Sequence, residues 1–281
     1  MAEAHQVNRE QAALWNDTAG RAWVEMQRVL DDMFTPFEKL LLEHAVHDET
    51  RGVLDIGCGA GVTTLAAARR IGPSGKCVGL DISATLLDLA RQRATREGLK
   101  NVTFVEADAQ THAFEPNSVD AVISRFGVMF FDSPEAAFTN IKRAARPNAK
   151  LAFVAWRSPA ENPFMTTAAR AAAPLLPSMK PPDPSAPGQF AFADGDKVQG
   201  ILRTSGWKSI EIQSIDVPMH IAEDDLFVYV TKLGPVGMAL KDADTPTREK
   251  VTAAVQAAFR PFIEDGAARF NAACWLVTAR S

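Results

Sequence analysis

The chain has 281 residues, of which 47% are hydrophobic and 23% are charged, and its formal net charge at pH 7 is −4. This composition is typical of a globular protein with a sizeable core, and the scattered basic residues form no phosphate-binding run, so we expect no nucleic-acid partner. The cysteines stand far apart without a C-x-x-C pair, so we expect a cytoplasmic protein with reduced thiols and no metal site. Because no run of about 18 apolar residues occurs, we also expect no membrane span.

Helical periodicity dominates the amino-terminal segment. Apolar residues, including Trp15 and Trp23, share one helix face over roughly residues 8–33. Breaks in this helix are predicted at Asn16, Asp17 and Gly20. Pro36 is predicted to open a second helix, since proline favours the first turn. We interpret residues 1–50 as a helical arm that either packs on the core or closes as a lid over a ligand, because tryptophans offer apolar area at low entropic cost.

Strands and helices alternate through the next hundred residues. Strands are predicted at residues 53–56, 76–80, 101–105, 119–123 and 150–156. Helices are predicted between them, beginning near Val62, Ser83 and Pro134. Because parallel strands are joined by crossover helices, this alternation predicts an α/β fold with a doubly wound, mostly parallel sheet.

The pattern changes after residue 156. Many prolines frame a short alanine-rich helix there, and we predict a helical cap insertion over about residues 157–205. One strand is predicted at 210–217 and a last strand at 272–278. The gap between these two strands is too long for a hairpin turn and carries helical segments, so we predict a second cap insertion over about residues 222–266.

The first predicted strand runs directly into three alternate glycines, Gly57, Gly59 and Gly61. Glycines permit a positive φ and leave no Cβ between the backbone and a ligand, so we expect a ligand on this turn. The spacing excludes two common ligands. A dinucleotide fingerprint requires glycine where this chain has Val62, and a phosphate loop requires a lysine after its last glycine, which is missing here.

Three motifs in this region occur in a fixed order. They read V-L-D-I-G-C-G-A-G at residues 53–61, V-G-L-D-I-S at 78–83 and V-E-A-D-A-Q at 105–110. Together they resemble the class I S-adenosylmethionine-dependent methyltransferases, and in general character the small-molecule, ubiquinone/menaquinone-biosynthesis-like group. The resemblance implies a Rossmann-like, seven-stranded sheet that ends in an antiparallel pair, a methyltransferase domain over residues 51–281, and S-adenosylmethionine as cofactor.

The resemblance also implies a role for individual residues. Gly57 and Gly59 would let the backbone approach the methionine part of the cofactor, with Asp55 near its ammonium group. Asp81 would accept hydrogen bonds from both ribose hydroxyls, and Asp108 would accept from the adenine amino group. The other cofactor contacts predicted at this edge of the sheet are Gly61, Ile82, Ala109 and Phe126.

Each of these carboxylates also has a purely structural interpretation. Asp55 and Asp108 could close turns, and Asp81 could cap the following helix. A single carboxylate would favour that interpretation. Carboxylates that follow three successive parallel strands meet at one edge of the sheet, however, which favours a shared binding site.

The acceptor site is predicted opposite the cofactor. Substrate-binding residues are predicted at Phe126, Met129, Phe130 and Trp156. Ordinary core packing is the alternative for this apolar set. Methyl transfer is an in-line displacement that correct positioning of the two reactants can accelerate, so no catalytic residue is required. If the acceptor must lose a proton, His112 and Tyr229 are the candidates for the base.

The sequence therefore predicts methyl transfer to a small organic acceptor in an apolar, capped pocket. One alternative is an enzyme that methylates a protein or RNA, but such an enzyme should expose an open or basic face, and the chain is acidic. Another alternative is a regulatory protein that binds the cofactor without catalysis.

Overall fold

The computed structural model describes residues 4–177, 179 and 186–281, and the side chains of residues 10–17, 19–177, 179 and 186–281. Its strands are β1 (Gly52–Ile56), β2 (Lys76–Asp81), β3 (Val102–Glu106), β4 (Val119–Arg125), β5 (Ala145–Trp156), β6 (Lys208–Ala222), β7 (Ile263–Glu264) and β8 (Ala267–Arg280). Its α-helices are α1 (Ala4–Asn16), α2 (Thr18–Glu25), α3 (Gln27–Ala45), α4 (Val62–Ile71), α5 (Ala84–Arg96), α6 (Pro134–Ala144), α7 (Pro163–Ala172), α8 (Gly195–Thr204), α9 (Glu223–Lys232), α10 (Gly234–Leu240) and α11 (Thr245–Phe259). None of the described helices is long and apolar enough to cross a bilayer.

The strands form one sheet in the order β3-β2-β1-β4-β5-β8-β6, and the short β7 pairs with β8. Strands β1 to β5 pair in parallel, and β8 is antiparallel to both β5 and β6. This arrangement confirms the predicted doubly wound, mostly parallel sheet that ends in an antiparallel pair. The two-residue β7 is an addition to the seven predicted strands.

The centre of the sheet is where its strand order changes direction. Strand β1 lies between β2 and β4, and every residue of β1 is buried. The chain leaves β1 towards β2 and later returns to β4 on the other side, so the connections diverge at the carboxyl ends of these strands. In open α/β sheets such a divergence leaves a crevice that receives ligands.

The amino-terminal helices differ from the prediction at two positions. Pro36 does not begin a helix, because α3 runs through it from Gln27 to Ala45. A proline inside a helix costs roughly 3 kcal/mol, but α3 buries Phe34, Phe37 and Leu41 against β4 and β5, and this packing outweighs the cost.

Gly20 does not interrupt a helix either, because it lies inside α2. A Cβ at this position would lie 1.9 Å from the carbonyl oxygen of Trp15. The glycine therefore allows α1 and α2 to approach each other closely. The chain breaks at Asp17, as predicted, and again at Met26.

The carboxyl-terminal strands are longer than predicted. Strand β6 extends over residues 208–222 and β8 over 267–280, and the two pair along almost their whole length. Helices α9, α10 and α11 lie between them in the chain, where the second cap insertion is predicted. The first predicted insertion includes residue 178 and residues 180–185, which lie outside the described residues.

Candidate functional site

A cavity of about 420 Å³ lies at the carboxyl ends of β1, β2 and β4. One wall consists of the glycine turn and the strand ends. The opposite side is formed by residues of α1, α2 and α3 and by residues of α9 and α10. The lining is mainly apolar, with a few polar groups, which is the usual character of a small-molecule site.

The glycines of the turn have different roles. Gly57 and Gly59 line the cavity and have positive φ angles of 65° and 54°. A Cβ on Gly59 would have only the Cδ1 atom of Leu86 within 4 Å, at 3.9 Å, so the backbone is open to a ligand there. A Cβ on Gly57 would lie 2.6 Å from the Cα atom of Gly127, so this glycine lets the β1 and β4 loops touch.

Gly61 is not among the residues that line the cavity. A Cβ at this position would lie 2.9 Å from both the Cβ atom of Ala90 and the Cζ atom of Phe104. The third glycine of the motif therefore allows α5 and β3 to pack against the start of α4. Its predicted contact with a cofactor stays a prediction.

Asp81 joins three parts of the site. Its Oδ2 atom accepts a hydrogen bond from the Gly59 amide at 2.7 Å, and its Oδ1 atom accepts one from the Ser83 amide at 2.8 Å. The Ser83 hydroxyl caps α5 by accepting from the Leu86 amide at 3.2 Å and donates to the Trp15 carbonyl at 2.7 Å. Asp81 thus fixes the glycine turn and, through Ser83, the end of α1.

Burial raises the pKa of the Asp81 carboxyl, while the hydrogen bonds from backbone amides oppose that rise. Its side chain lines the cavity although the residue is only 8% exposed. A carboxylate can accept about four hydrogen bonds. The two amide bonds therefore leave acceptor capacity for a ligand, and the predicted helix-capping and ligand-binding roles are compatible.

Asp55 lies at the end of β1 and lines the same cavity. Its Oδ2 atom accepts a hydrogen bond from the Thr64 hydroxyl at 2.7 Å, whereas its Oδ1 atom is buried without a partner among the described residues. Burial raises the pKa of this carboxyl to about 7, against the opposing effects of the Thr64 hydroxyl and the Arg125 guanidinium.

The adenine-side residues of the prediction, Ile82, Asp108 and Ala109, also line the cavity. Asp108 closes a local turn, because its Oδ1 atom accepts a hydrogen bond from the Gln110 amide at 2.9 Å. The Ile82 carbonyl accepts a hydrogen bond from the side chain of Asn16 at 3.1 Å, which ties α1 to this part of the wall. The structure therefore brings all three predicted carboxylates to one cavity.

An aromatic wall completes the site. The predicted acceptor residues Phe126, Met129, Phe130 and Trp156 all line the cavity. The rings of Phe126 and Trp156 are stacked, with centroids 4.3 Å apart and planes 3° apart. Trp15 packs edge-on against Phe130, with centroids 5.3 Å apart. Met129 and Trp156 are also buried in the main core, so packing and cavity lining coincide at these residues.

Phe126 has a φ of 64°, which is unusual for a residue other than glycine. Such a backbone conformation costs on the order of 1–3 kcal/mol and persists only where its surroundings enforce it. Here the stacked ring of Trp156 and the close approach of Gly127 to Gly57 hold the turn. The strained residue faces the cavity.

The two base candidates have different positions. His112 is not among the residues that line the cavity, and its ring packs edge-on against Phe114 with centroids 4.8 Å apart. Tyr229, on α9, does line the cavity, and burial raises the pKa of its hydroxyl to about 12. A tyrosine with that pKa is protonated at neutral pH, so it suits hydrogen-bond donation better than proton abstraction.

Several polar residues that line the cavity were not predicted from the sequence, among them Gln11, Gln27 and Arg125. Gln11 and Gln27 belong to the arm, where the helical pattern drew attention to apolar positions only. Arg125 was visible as a charged residue at the end of a mainly apolar strand. A charge at such a position is the signal that could have identified it, because charged residues are seldom buried without a role.

Sequence comparison finds similarity in the part of the chain that carries the three carboxylates. Residues 53–148 match the protein family described as "Methyltransferase domain". An aklanonic acid methyltransferase of Streptomyces sp. is 31% identical over 122 residues, which cover 43% of this chain and 56% of that protein. A ubiquinone/menaquinone biosynthesis C-methyltransferase of Hahella chejuensis is 35% identical over 117 residues, covering 41% of this chain and 47% of that protein.

A 2-phytyl-1,4-naphtoquinone methyltransferase of Trichormus variabilis is 34% identical over 114 residues, covering 40% of this chain and 50% of that protein. The matched region therefore spans about half the length of these relatives. The match to the domain family, residues 53–148, contains the glycine turn and the ends of β1 to β4, and it leaves out the arm and the carboxyl-terminal helices.

Solved structures share the fold over a larger part of the chain. The YcgJ protein of Bacillus subtilis superposes with a TM-score of 0.59 at 19% identity, covering 88% of this chain and 98% of that protein. An S-adenosylmethionine-dependent methyltransferase of Aquifex aeolicus gives a TM-score of 0.53 at 18% identity, covering 92% and 97%. At these identities the likeness concerns the fold.

Proposed function

We propose that this chain, whose residues 53–148 form a methyltransferase domain, transfers a methyl group from S-adenosylmethionine to a small organic acceptor. One observation carries the proposal. The open turn at Gly59 and the carboxylates of Asp55, Asp81 and Asp108 all face one cavity that has a mainly apolar lining. A ligand with a nucleoside part and a cationic part fits that set of groups.

The residues fit the cofactor by their chemistry. The Oδ1 atom of Asp55 is buried without a described partner, and a cationic ammonium group would satisfy it. Asp81 retains acceptor capacity for ribose hydroxyls, and Asp108 with the Ala109 backbone would hold the adenine. The bare backbone at Gly59 would admit the cofactor's chain. When bound, S-adenosylmethionine supplies an electrophilic methyl group on a sulfonium.

The residues of the chain then orient the reactants and exclude water from them. Asp81 holds the glycine turn in one geometry, and the rings of Phe126, Trp156 and Phe130 exclude water from the facing side. Alignment of two reactants can lower a barrier by roughly 7–11 kcal/mol. Tyr229 would orient a polar group of the acceptor by donating a hydrogen bond, since burial keeps its hydroxyl protonated.

The acceptor class follows from the aromatic wall. Stacked and edge-on rings favour a flat, largely apolar molecule, because such surfaces gain the most from contact with aromatic faces. The relatives named above carry the names of a naphthoquinone, of ubiquinone and menaquinone biosynthesis, and of aklanonic acid. We therefore propose a small ring-bearing acceptor of quinone-like or phenolic character.

The test is a product assay. The purified chain is incubated with S-adenosylmethionine that carries a labelled methyl group, against panels of quinols, phenols, amines and thiols, and label is counted in each extracted product. We expect label in a quinol or phenol product, and Asp81→Asn should reduce it at least tenfold at low cofactor concentration, since a hydrogen bond to a charged group is worth about 1.5–3 kcal/mol.

Two outcomes would contradict the proposal. Label that appears only in added protein or RNA would indicate a macromolecular acceptor. Binding of the cofactor without label in any acceptor would indicate a regulatory protein without catalysis.

A further inference from the structure

Apolar residues and a few hydrogen-bond donors line one part of the cavity. This part comes from α7, residues 187–189, α9 and α10, and we call it the acceptor side. The polar side chains that line it are the neutral amide of Gln189, the hydroxyl of Tyr229 and the ammonium group of Lys232. Among the described residues, the carboxylates that line the cavity lie at the strand ends instead, and no histidine side chain lines it.

Tyr229 and Lys232 lie three residues apart on α9, so their side chains share one face of the helix. Burial alone raises the pKa of the Tyr229 hydroxyl to about 12, and no hydrogen bond from a described residue opposes that rise. The hydroxyl therefore stays protonated, with its proton available to a ligand. The ammonium group of Lys232 pairs with the Glu25 carboxylate on α2 and can only donate. An acceptor that had to lose a proton on this side would find no described group to take it.

These groups favour an anionic acceptor over a neutral one. Burial in an apolar lining disfavours the charged form of a phenol and raises its pKa. A hydrogen bond from Tyr229 to the phenolic oxygen and the positive charge of Lys232 act in the opposite direction, because both stabilise the ionised form. The acceptor side thus compensates an ionised oxygen for the water that it loses on entering the cavity.

We propose that the acceptor binds as an anion, with its ionised phenolic oxygen held by the Tyr229 hydroxyl near the positive charge of Lys232. This inference rests on the proposed function, because it concerns the acceptor of the same methyl transfer. The phenolic proton passes to water before the acceptor enters the cavity. An electron pair of the anion then forms the bond to the methyl carbon, and the pair of the breaking carbon–sulfur bond stays on sulfur. The negative charge of the acceptor and the positive charge of the sulfonium cancel, and no base on the protein takes part.

The pH profile of turnover distinguishes an ionised acceptor from a base on the protein. The probes are the phenol or quinol that takes most label in the product assay and its nitro derivative, which is more acidic. Saturating S-adenosylmethionine keeps the Asp55 carboxyl, which titrates near pH 7, paired with the cofactor's ammonium. Under that condition kcat should increase between about pH 6 and pH 10 up to the pKa of the bound acceptor. The nitro derivative should therefore reach its plateau at a lower pH than its parent.

Variants of α9 test the two residues separately. Tyr229→Phe removes only the hydroxyl and should lower kcat/KM for the acceptor about tenfold or more, because a hydrogen bond to a charged group is lost. The plateau of its kcat profile should move to higher pH. Lys232→Met should lower kcat/KM roughly threefold, and high salt should reduce this difference because the lysine side chain is 48% exposed.

Glu25→Gln is the matched control for Lys232→Met. It breaks the same ion pair but leaves the cation, so it should not lower kcat/KM. All three variants should bind S-adenosylhomocysteine like the wild-type chain, which reports that they are folded.

Several results would overturn the anionic acceptor and leave the proposed function standing. They are a plateau at the same pH for both probes, a pH-independent kcat for the parent phenol, wild-type turnover in Tyr229→Phe, and equal losses in Lys232→Met and Glu25→Gln. The comparison of the two probes uses the wild-type chain, so it decides the question even if Tyr229→Phe does not fold. A folded wild-type chain that labels no phenol or quinol at any pH would instead contradict the proposed function.

Discussion

Asp55 shows how a single buried residue can make ligand binding depend on pH. It is 1% exposed, and burial is the main cause of its raised pKa. The Thr64 hydroxyl on α4 and the Arg125 guanidinium on β4 favour its charged form, whereas the carboxylates of Asp81 on β2 and Glu38 on α3 oppose it. A pKa near neutrality means that a bound cation has to compete with a proton.

We expect the affinity for S-adenosylhomocysteine to increase with pH. With a pKa of about 7 for Asp55, the ionised fraction increases roughly tenfold between pH 6 and pH 8, and the cofactor's ammonium needs the ionised form. Titration calorimetry at pH 6, 7 and 8 measures this dependence. Asp55→Asn should bind more weakly and should show much less pH dependence; a wild-type affinity that is constant over this range would refute the assignment.

The same carboxyl affects the stability of the ligand-free chain, with a definite sign. Its folded pKa of about 7 lies above the ordinary value of 3.8, so between these values the folded chain holds a proton that the unfolded chain releases. The free energy of unfolding contributed by this group is therefore highest at low pH and decreases as pH rises through that window. Asp55 costs stability at neutral pH, and a bound cation relieves that cost.

At the scale of single residues, the sequence predicted the groups that stand next to glycines and strand ends. Asp55, Asp81 and Asp108 were visible because each follows an apolar strand at a fixed place. Gln27 and Arg125 lie far apart in the sequence and meet only in the fold, so no local pattern joins them. Their orientation depends on Asp31 and on strand register, which a sequence alone does not display.

Among the secondary-structure elements, α4 shows how one glycine controls packing. Gly61 precedes this helix and Gly72 follows it, and both have positive φ, of 80° and 72°. A Cβ on Gly61 would meet Ala90 and Phe104, whereas a Cβ on Gly72 would have nothing within 4 Å. A substitution at Gly72 would therefore strain only the backbone, whereas a substitution at Gly61 would also create a steric overlap.

We expect Gly72→Ala to reduce the free energy of unfolding by about 1–3 kcal/mol through the backbone alone, because its φ of 72° and ψ of 179° lie in a region that alanine rarely adopts. Gly61→Ala should cost about 1–2 kcal/mol for the left-handed conformation of alanine and about 1–3 kcal/mol more, because the added methyl overpacks the contact with α5 and β3. Urea denaturation of both variants measures these losses. A loss of no more than about 1–2 kcal/mol in Gly61→Ala would show that Gly61 is needed only for its backbone conformation.

The sequence predicted elements well where one local rule governs them. The alternation of strands and helices and the breaks around glycines predicted the ends of β1 to β4 to within two residues, whereas β5 begins five residues earlier than predicted. The errors at Pro36 and Gly20 have a common cause, since tertiary packing overrode a local preference in both cases. The burial of aromatic residues on α3 compensates the energetic cost of Pro36 inside the helix. Gly20 is required inside α2 because α1 and α2 approach each other closely there.

For the molecule as a whole, distant parts of the chain enclose the cavity. The arm, the strand ends, helix α7 with residues 187–189, and helices α9 and α10 all contribute lining residues. Two exposed ion pairs, Glu25 with Lys232 and Arg28 with Asp225, connect the arm to α9. Exposed ion pairs contribute about 0–1 kcal/mol each, so these two add little to the stability of the contact between the arm and α9. The sequence predicted an arm and caps near the site, and the division of the chain into domains stays a prediction.

The most direct test of the account is whether the chain binds the cofactor in this cavity. Calorimetric titration of the wild-type chain with S-adenosylhomocysteine should show one site with a dissociation constant of roughly 1–100 μM, equivalent to about 5–8 kcal/mol. Asp81→Asn should bind at least tenfold more weakly while its thermal unfolding stays cooperative. A folded wild-type chain that shows no binding at 1 mM ligand, a concentration on the order of tenfold or more above that range, would contradict the central claim.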